Sequence, residues 1–410
     1  MAIDQSERPE LSLAPETGEV LFDIKDLEVY FPIQQGFFKS MVATEKKFVK
    51  AVDHITFQIK KGEILALVGE SGCGKTTTGR TLLRLEEATG GEIIYKGKPV
   101  QKFSGKELRE YRKKAQIIFQ DPYNSINPKQ TIFDIVAEPL EVNGVCSSER
   151  EKEDRVIKAI SEAGLRPATE YLYRYPHELS GGQRQRVCIA GATVLEPDVI
   201  VAEPLEVNSV CSSEREKEDR VITAINEAGL RPATEYLYRY PHELSGGQRQ
   251  RVCIAGATVL DPDVIVADEP VASLDVSIRN DILKLMVEEK EKLGVTYIFI
   301  THDLSLAWVI SDRIAVMYLG RIVEIGNTEE VVANPKHPYT KALISVIPVP
   351  DPLAKREHVI LKGETPNPVD IPSGCRFHPR CPEAIDTCSE IDPEDVHIGG
   401  DHYAACLRIK

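Results

Sequence analysis

The chain has 410 residues, enough for two or three domains or for one large core with appendages. Hydrophobic residues make up 42% and charged residues 28%, an ordinary globular balance, and no apolar run reaches the roughly 18–20 residues that span a bilayer. A formal charge of -14 argues against general nucleic-acid binding, which needs a basic surface, but allows a nucleotide site built locally from backbone N–H groups and one or two cations.

The first residues carry no basic stretch followed by an apolar one, so no secretion signal is expected and a cytoplasmic protein is the default. Residues 1–20 read as a flexible N-terminus. Glu63–Val68 is a short apolar run that predicts a buried parallel strand, and Thr76–Leu85 predicts a helix. Between them Gly69, Glu70, Ser71, Gly72, Cys73, Gly74, Lys75 and Thr76 fit the phosphate-loop pattern G-x-x-x-x-G-K-[ST]. Such glycines let backbone N–H groups close around phosphate oxygens, and the helix N-terminus adds a positive dipole. Lys75 is expected to reach the β- and γ-phosphates and the Thr76 hydroxyl to ligate Mg²⁺, with Thr77 next to it among the nucleotide contacts. The bland alternative, a chance glycine-rich turn, lacks a reason for the flanking strand and helix.

Further along, residues 137–201 recur as residues 202–266, and only four positions differ: Gly144/Ser209, Lys158/Thr223, Ser161/Asn226 and Glu196/Asp261. Solenoid repeats diverge far more, so the segment reads either as a recent tandem duplication or as an error in assembling the gene sequence. A fold that needs one copy can use any continuous splice of the two, looping out about 65 residues at exposed polar stretches such as Ser147–Asp154 and Ser212–Asp219. Each copy carries Leu-Ser-Gly-Gly-Gln, at Leu179–Gln183 and Leu244–Gln248, opening an expected helix whose N-terminus is an anion-binding surface.

The second copy runs into Val264-Ile-Val-Ala-Asp268-Glu269-Pro270, which places two carboxylates at the C-terminal end of a buried strand. Asp268 suits Mg²⁺ coordination through water, and Glu269 suits polarisation of an attacking water. In the first copy Glu203 and Pro204 stand at those positions, and proline cannot polarise water. The second copy is therefore expected to pack in the fold, with Ser180 of the first as a lesser site candidate. After Gly326 the chain turns proline-rich and reads as an extended tail, carrying Cys375, Cys381, Cys388 and Cys406. Four thiolates suit an iron–sulfur cluster or tetrahedral zinc, although the spacing is not C-x2-C and four unligated thiols stay open. His378, His397 and His402 stand by as substitute ligands. Cys73 reads as packing in the phosphate loop.

Taken in order, the phosphate loop, Gln120 in Ile-Phe-Gln-Asp-Pro, Leu-Ser-Gly-Gly-Gln, Asp268–Glu269, Asp275 in Ser-Leu-Asp and His302 in Ile-Thr-His-Asp resemble the ATP-binding subunit of an ABC transporter. The resemblance covers about Leu21–Val346. It implies an α/β fold, a P-loop NTPase with a mixed-sheet core, a helical subdomain and a Pro/Cys-rich C-terminal tail over residues 347–410. It also implies that Gln120 senses the γ-phosphate and Mg²⁺, that His302 contacts the γ-phosphate, and that Phe31 stacks on adenine, with Tyr30 a competitor. Two such domains dimerise head to tail, so Ser245, Gly246, Gly247 and Gln248 complete a partner's ATP site and Asp275 faces the opposing subunit.

Pro335–Thr340 and Phe119–Pro128 resemble the oligopeptide and dipeptide importer branch, whose tail is associated in some members with a [4Fe–4S] cluster. The implied assembly contains a second ATP-binding subunit (a heterodimer), two transmembrane permease subunits and an extracytoplasmic substrate-binding protein, at the cytoplasmic face of the membrane. Oligosaccharide or metal import by the same branch is the nearest alternative, followed by a hydrolysis-impaired duplicate or misassembled form. A non-transport ATPase of DNA repair or translation would predict a coiled coil, two phosphate loops or a basic surface.

Overall fold

The computed structural model describes residues 18–33, 47–118, 130–142, 148–162, 165–179, 183, 187, 214–236, 239, 244–272, 274–347, 359, 361 and 363–409. They fall into two compact units. One draws on Met1–Ile117, Asp263–Glu269 and Val287–Lys410, the other on Ile118–Pro262 and Pro270–Met286.

In the first unit, β1 (Val20–Pro32) pairs antiparallel with β2 (Phe48–Lys60). The apolar strand β3 (Ile64–Val68) is buried at every position and leads through the phosphate loop into α1 (Lys75–Leu82). The helix ends three residues before the predicted Leu85, because the chain turns at Arg84, which takes a positive φ. β4 (Gly90–Tyr95) and the short β5 (Lys98–Pro99) complete a four-stranded antiparallel sheet, followed by α2 (Gly105–Lys114) and β6 (Ala115–Ile118).

The helical unit contains α3 (Ile132–Val142), α4 (Glu149–Glu162), α5 (Glu214–Glu227) and α6 (Gly246–Thr258). Ile132, Val136 and Leu140 recur every fourth residue on α3 and pack with Val156 and Ile160 of α4. Leu179 and Val187 of the first repeat copy join the same cluster. In the second copy α5 packs against α6, and Arg251 donates to the Ala228 carbonyl (2.9 Å).

The chain then returns to the first unit as β7 (Val264–Asp268), reached directly from α6 as the sequence predicts. α7 (Val276–Leu293), β8 (Thr296–Thr301), α8 (Leu304–Ile310), β9 (Arg313–Tyr318), β10 (Arg321–Asn327), α9 (Thr328–Ala333) and α10 (Pro338–Ser345) follow, then β11 (Val396–Gly399) and β12 (His402–Ala404). The main sheet has the order β11-β12-β10-β9-β3-β8-β7-β6, parallel through β9-β3-β8-β7 and antiparallel at β10, β11 and β12. Alternate residues of its central strands, Leu65 and Leu67, Val264 and Val266, Ile298 and Ile300, point into one core shared with the antiparallel sheet. α1 lies close on that face: a Cβ on Gly79 would come within 2.8 Å of Ile300 and Val266.

The C-terminal region differs from the extended tail that its prolines predict. Asn334–Leu343 holds most of a helix: His337 caps α10 by accepting from the Tyr339 N–H, and Pro338 occupies the first turn, where a missing N–H costs nothing. Beyond it, β12 extends the main sheet by pairing with β10. Tyr318, Tyr339 and Phe377 stack with ring centroids 4.8–5.3 Å apart and fix the tail to the sheet.

Candidate functional site

The phosphate loop stands at the C-terminal end of β3, in the position that the strand–loop–helix order predicts. Its glycines are required by the backbone path. Gly74 has φ 108°, and a Cβ there would lie 2.2 Å from the Ala51 carbonyl oxygen. The Lys75 ammonium turns back into the loop, donating to the carbonyls of Gly69 (2.8 Å) and Glu70 (3.0 Å). Cys73 is buried, as a packing residue should be, and burial pushes its thiol pKa up.

β7 brings its two carboxylates to the same edge. The Thr76 hydroxyl donates to Asp268 Oδ1 (3.1 Å), so the two expected Mg²⁺ ligands are neighbours. Burial raises the Asp268 pKa; the Thr76 hydrogen bond opposes the rise and the charge of Glu269 adds to it. A divalent cation would relieve that cost by supplying positive charge where the carboxylate is desolvated. Glu269 takes a left-handed φ of 46°, rare for a side chain of this kind, and its N–H donates to Ile300 O (2.9 Å). Its carboxylate lies 2.8 Å from Nδ1 of His302, which follows β8 and is more than half exposed. Thr76, Asp268, Glu269 and His302, spread over 227 positions of sequence, therefore meet along adjacent strands.

Tyr30 and Phe31 part company on β1. The Tyr30 hydroxyl donates to the buried Asp53, which also binds Arg376, whereas Phe31 is exposed. In the helical unit Ser245 caps α6: its hydroxyl accepts from the Gln248 N–H (3.3 Å) while the Gln248 side chain accepts from the Ser245 N–H (2.9 Å). Gly247 is buried, and a Cβ there would meet Ile278 at 2.5 Å. Asp275 is exposed just before α7, its carbonyl accepting from the N–H groups of Ile278 and Arg279. Gln120 and Ser180 lie outside the described residues.

The four tail cysteines come together. The Cys375 thiol is pushed up to about 11, first by burial and then by the proximity of Cys388, Cys406 and Cys381. Each substitute histidine has one ring nitrogen in a hydrogen bond. His402 is buried with Nε2 2.8 Å from Glu324. His378 Nδ1 lies 2.9 Å from the Cys375 carbonyl and His397 Nε2 lies 2.8 Å from the Gly400 carbonyl. One set of contacts has no sequence signal at all: Arg380, Thr365 and Tyr339 all reach Glu70 from the C-terminal region.

The ABC transporter family matches residues 52–206 and 202–272, and the family described as oligopeptide/dipeptide transporter, C-terminal region matches residues 323–388. The chain is similar to the oligopeptide transport ATP-binding protein AppF of Bacillus subtilis, 39% identical over 95% of this chain and 97% of the relative. It is 38% identical to the dipeptide transport ATP-binding protein DppF of Haemophilus influenzae, over 93% of this chain and 95% of the relative. A putative peptide import ATP-binding protein of Brucella ovis is 39% identical over 89% and 94%. No described helix is long and apolar enough to cross a membrane. With its phosphate loop, its paired strand-end carboxylates and these matches along nearly its whole length, the chain belongs to the ABC transporter family and is an ATPase of that family.

Proposed function

We propose that this chain energises the import of oligopeptides or dipeptides by binding and hydrolysing ATP. The observation that carries the reading is the array Thr76–Asp268–Glu269–His302 beside a single phosphate loop, combined with a C-terminal region of the oligopeptide/dipeptide transporter type. Lys75 leaves its carbonyl partners for the β- and γ-phosphates. Thr76 and Asp268, with Gln120, would hold Mg²⁺, which would supply positive charge to the phosphates. Glu269 polarises the attacking water, and His302, already paired with it, reaches the γ-phosphate. Phe31 is the better platform for adenine because its ring is exposed while the Tyr30 hydroxyl is tied to Asp53.

Residues 21–346 form the ATP-binding domain and 347–410 a tail that adds strands to its sheet. Ser245, Gly246, Gly247 and Gln248, with Asp275, complete the site of a second ATP-binding subunit in a head-to-tail heterodimer. Two permease subunits receive the motion at the cytoplasmic face of the membrane, and an extracytoplasmic binding protein delivers cargo. The near-identical segments 137–201 and 202–266 are either a recent tandem duplication or an error in assembling the gene sequence, and resequencing the locus across Ala137–Val266 decides between them.

Cys375, Cys381, Cys388 and Cys406 would hold an iron–sulfur cluster, which supplies a rigid cross-link and a one-electron centre. Tetrahedral zinc at roughly 2.3 Å from each sulfur needs the sulfurs within about 4 Å of one another. The match to the oligopeptide/dipeptide transporter C-terminal region over residues 323–388, which spans Cys375, Cys381 and Cys388, is what favours the cluster over zinc. Iron analysis and the absorbance of anaerobically purified protein test this; colourless, zinc-containing protein contradicts it. For cargo, ATP-dependent uptake by vesicles holding the whole complex is expected for labelled oligopeptides. Uptake of oligosaccharide or metal instead would overturn the peptide assignment.

A further inference from the structure

Glu70 is the second residue of the phosphate loop, and its environment is built almost wholly by the C-terminal region. Arg380 grips its carboxylate with both terminal nitrogens, Nη1 to Oε2 at 2.8 Å and Nη2 to Oε1 at 3.1 Å. The Thr365 hydroxyl donates to the same carboxylate, and the Glu70 N–H donates to the Tyr339 hydroxyl (3.0 Å). The guanidinium is nearly buried and lies over the Tyr318 ring, so it has little freedom to swing away. On the loop side, the Glu70 carbonyl accepts from Lys75. Partial burial pushes the Glu70 carboxyl up, but hydrogen bonds from Arg380 and Thr365 dominate and hold it below the usual carboxylate range.

We infer that Arg380 is a positioning residue for nucleotide binding: it fixes Glu70, and through Glu70 the path of the phosphate loop, while neutralising a carboxylate that would otherwise repel a triphosphate. The inference rests on the reading that phosphates occupy the loop at residues 69–76. Two physical effects act together. The bidentate clamp with the Tyr339 contact holds both ends of one loop residue, which preorganises the backbone N–H groups beside it. The positive charge cancels the negative one a few ångströms from the site, where solvent screening is incomplete. Arg380 stands next to Cys381, and Arg376, next to Cys375, is held by Asp53 and the Leu319 carbonyl. The cysteine-bearing loop is thus anchored at two points to the nucleotide-binding sheet, one of them the phosphate loop itself.

The test is the dissociation constant for Mg-ATP, measured on the full chain by displacement of a fluorescent ATP analogue, with the melting temperature as a parallel readout. Arg380→Gln is expected to weaken binding about tenfold, or 1.4 kcal/mol. Arg380→Lys, which keeps the charge but not the fork, should recover part of the loss. In the Glu70→Gln background the Arg380→Gln change should cost little further affinity, since both act on the same contact. Unchanged affinity in Arg380→Gln, or losses that multiply fully in the double variant, would overturn the inference. Should Arg380→Gln not fold, Arg380→Lys decides: wild-type affinity there with a lowered melting temperature marks a purely structural contact. Lys75→Ala separates the underlying reading, because retained affinity in that variant would show that the phosphates sit elsewhere.

Discussion

Residues 137–201 and 202–266 are nearly the same sequence, yet they are used differently. In the first copy α4 packs on α3, and Arg155 of α4 pairs with Glu151 one turn away (3.2 Å). In the second copy α5 packs on α6, and the corresponding Arg220 reaches the Val259 carbonyl (2.9 Å) and Asp261 instead. Both partners of Arg220 lie within the second copy, and their counterparts in the first, Val194 and Glu196, lie outside the described residues. The second copy continues into Asp268–Glu269, whereas the same register in the first ends at Glu203–Pro204. Identical local sequence sets helices; what lies beyond the segment decides chemistry.

The largest effect bears on whether two copies could mean two sites. Lys75→Ala should abolish nucleotide binding, weakening it at least about a hundredfold, roughly 3 kcal/mol, although both Leu-Ser-Gly-Gly-Gln segments remain. Residual tight binding, measured by titration with labelled ATP, would show that the repeat carries a nucleotide site of its own.

Acid titration separates the nucleotide-binding unit from the repeat-bearing one. His337 is buried, accepts from the Tyr339 N–H, and has its pKa lowered to about 4, chiefly by burial. The value lies below the unfolded value of about 6.5, so its contribution is complete above that pH and is lost as the pH falls towards 4, by up to roughly 3 kcal/mol. Trp308, the single tryptophan, sits on α8 of the nucleotide-binding unit and reports its unfolding. In His337→Gln the acid sensitivity of the Trp308 transition should flatten.

Gly247→Ala should destabilise the helical unit by about 1–3 kcal/mol, since the added methyl meets Ile278. Unchanged stability of Gly247→Ala in denaturant melts would contradict the close approach of Gly247 to Ile278. The smallest change is deletion of residues 137–201. The residues of α4 that face α3 recur in α5 as Val221 and Ile225, so α3 can pack on α5 directly. The ATPase rate of the assembled complex should then rise, within a factor of ten, or about 1.4 kcal/mol. Equal rates would show that the extra segment is neutral.

Much of the site was legible because it is local. A phosphate loop needs its glycines, lysine and threonine in one stretch, and a strand ending in two carboxylates announces itself by an apolar run. The signature helix was equally plain, since Ser245 and Gln248 form a capping box four residues long. The contacts to Glu70 were not, because Arg380 lies 310 positions away in sequence and nothing in Phe-His-Pro-Arg says which carboxylate it will meet. The tail misled for a related reason. Its prolines suggest an extended path, but Pro338 sits in the first turn of a helix, and β12 pairs through backbone groups that carry no side-chain signal. Nor does the sequence show that His402 meets Glu324, 78 positions away.

The central claim is that one strand, the continuation of the second copy, carries hydrolysis. A paired measurement of ATPase rate and ATP affinity in Glu269→Gln and Glu203→Gln tests it most directly. Glu269→Gln should lose at least about a hundredfold in rate with binding retained, as expected for removal of a general base, while Glu203→Gln matches the parent. A Glu269→Gln variant that still turns over ATP normally, or a Glu203→Gln variant that does not, would contradict the account.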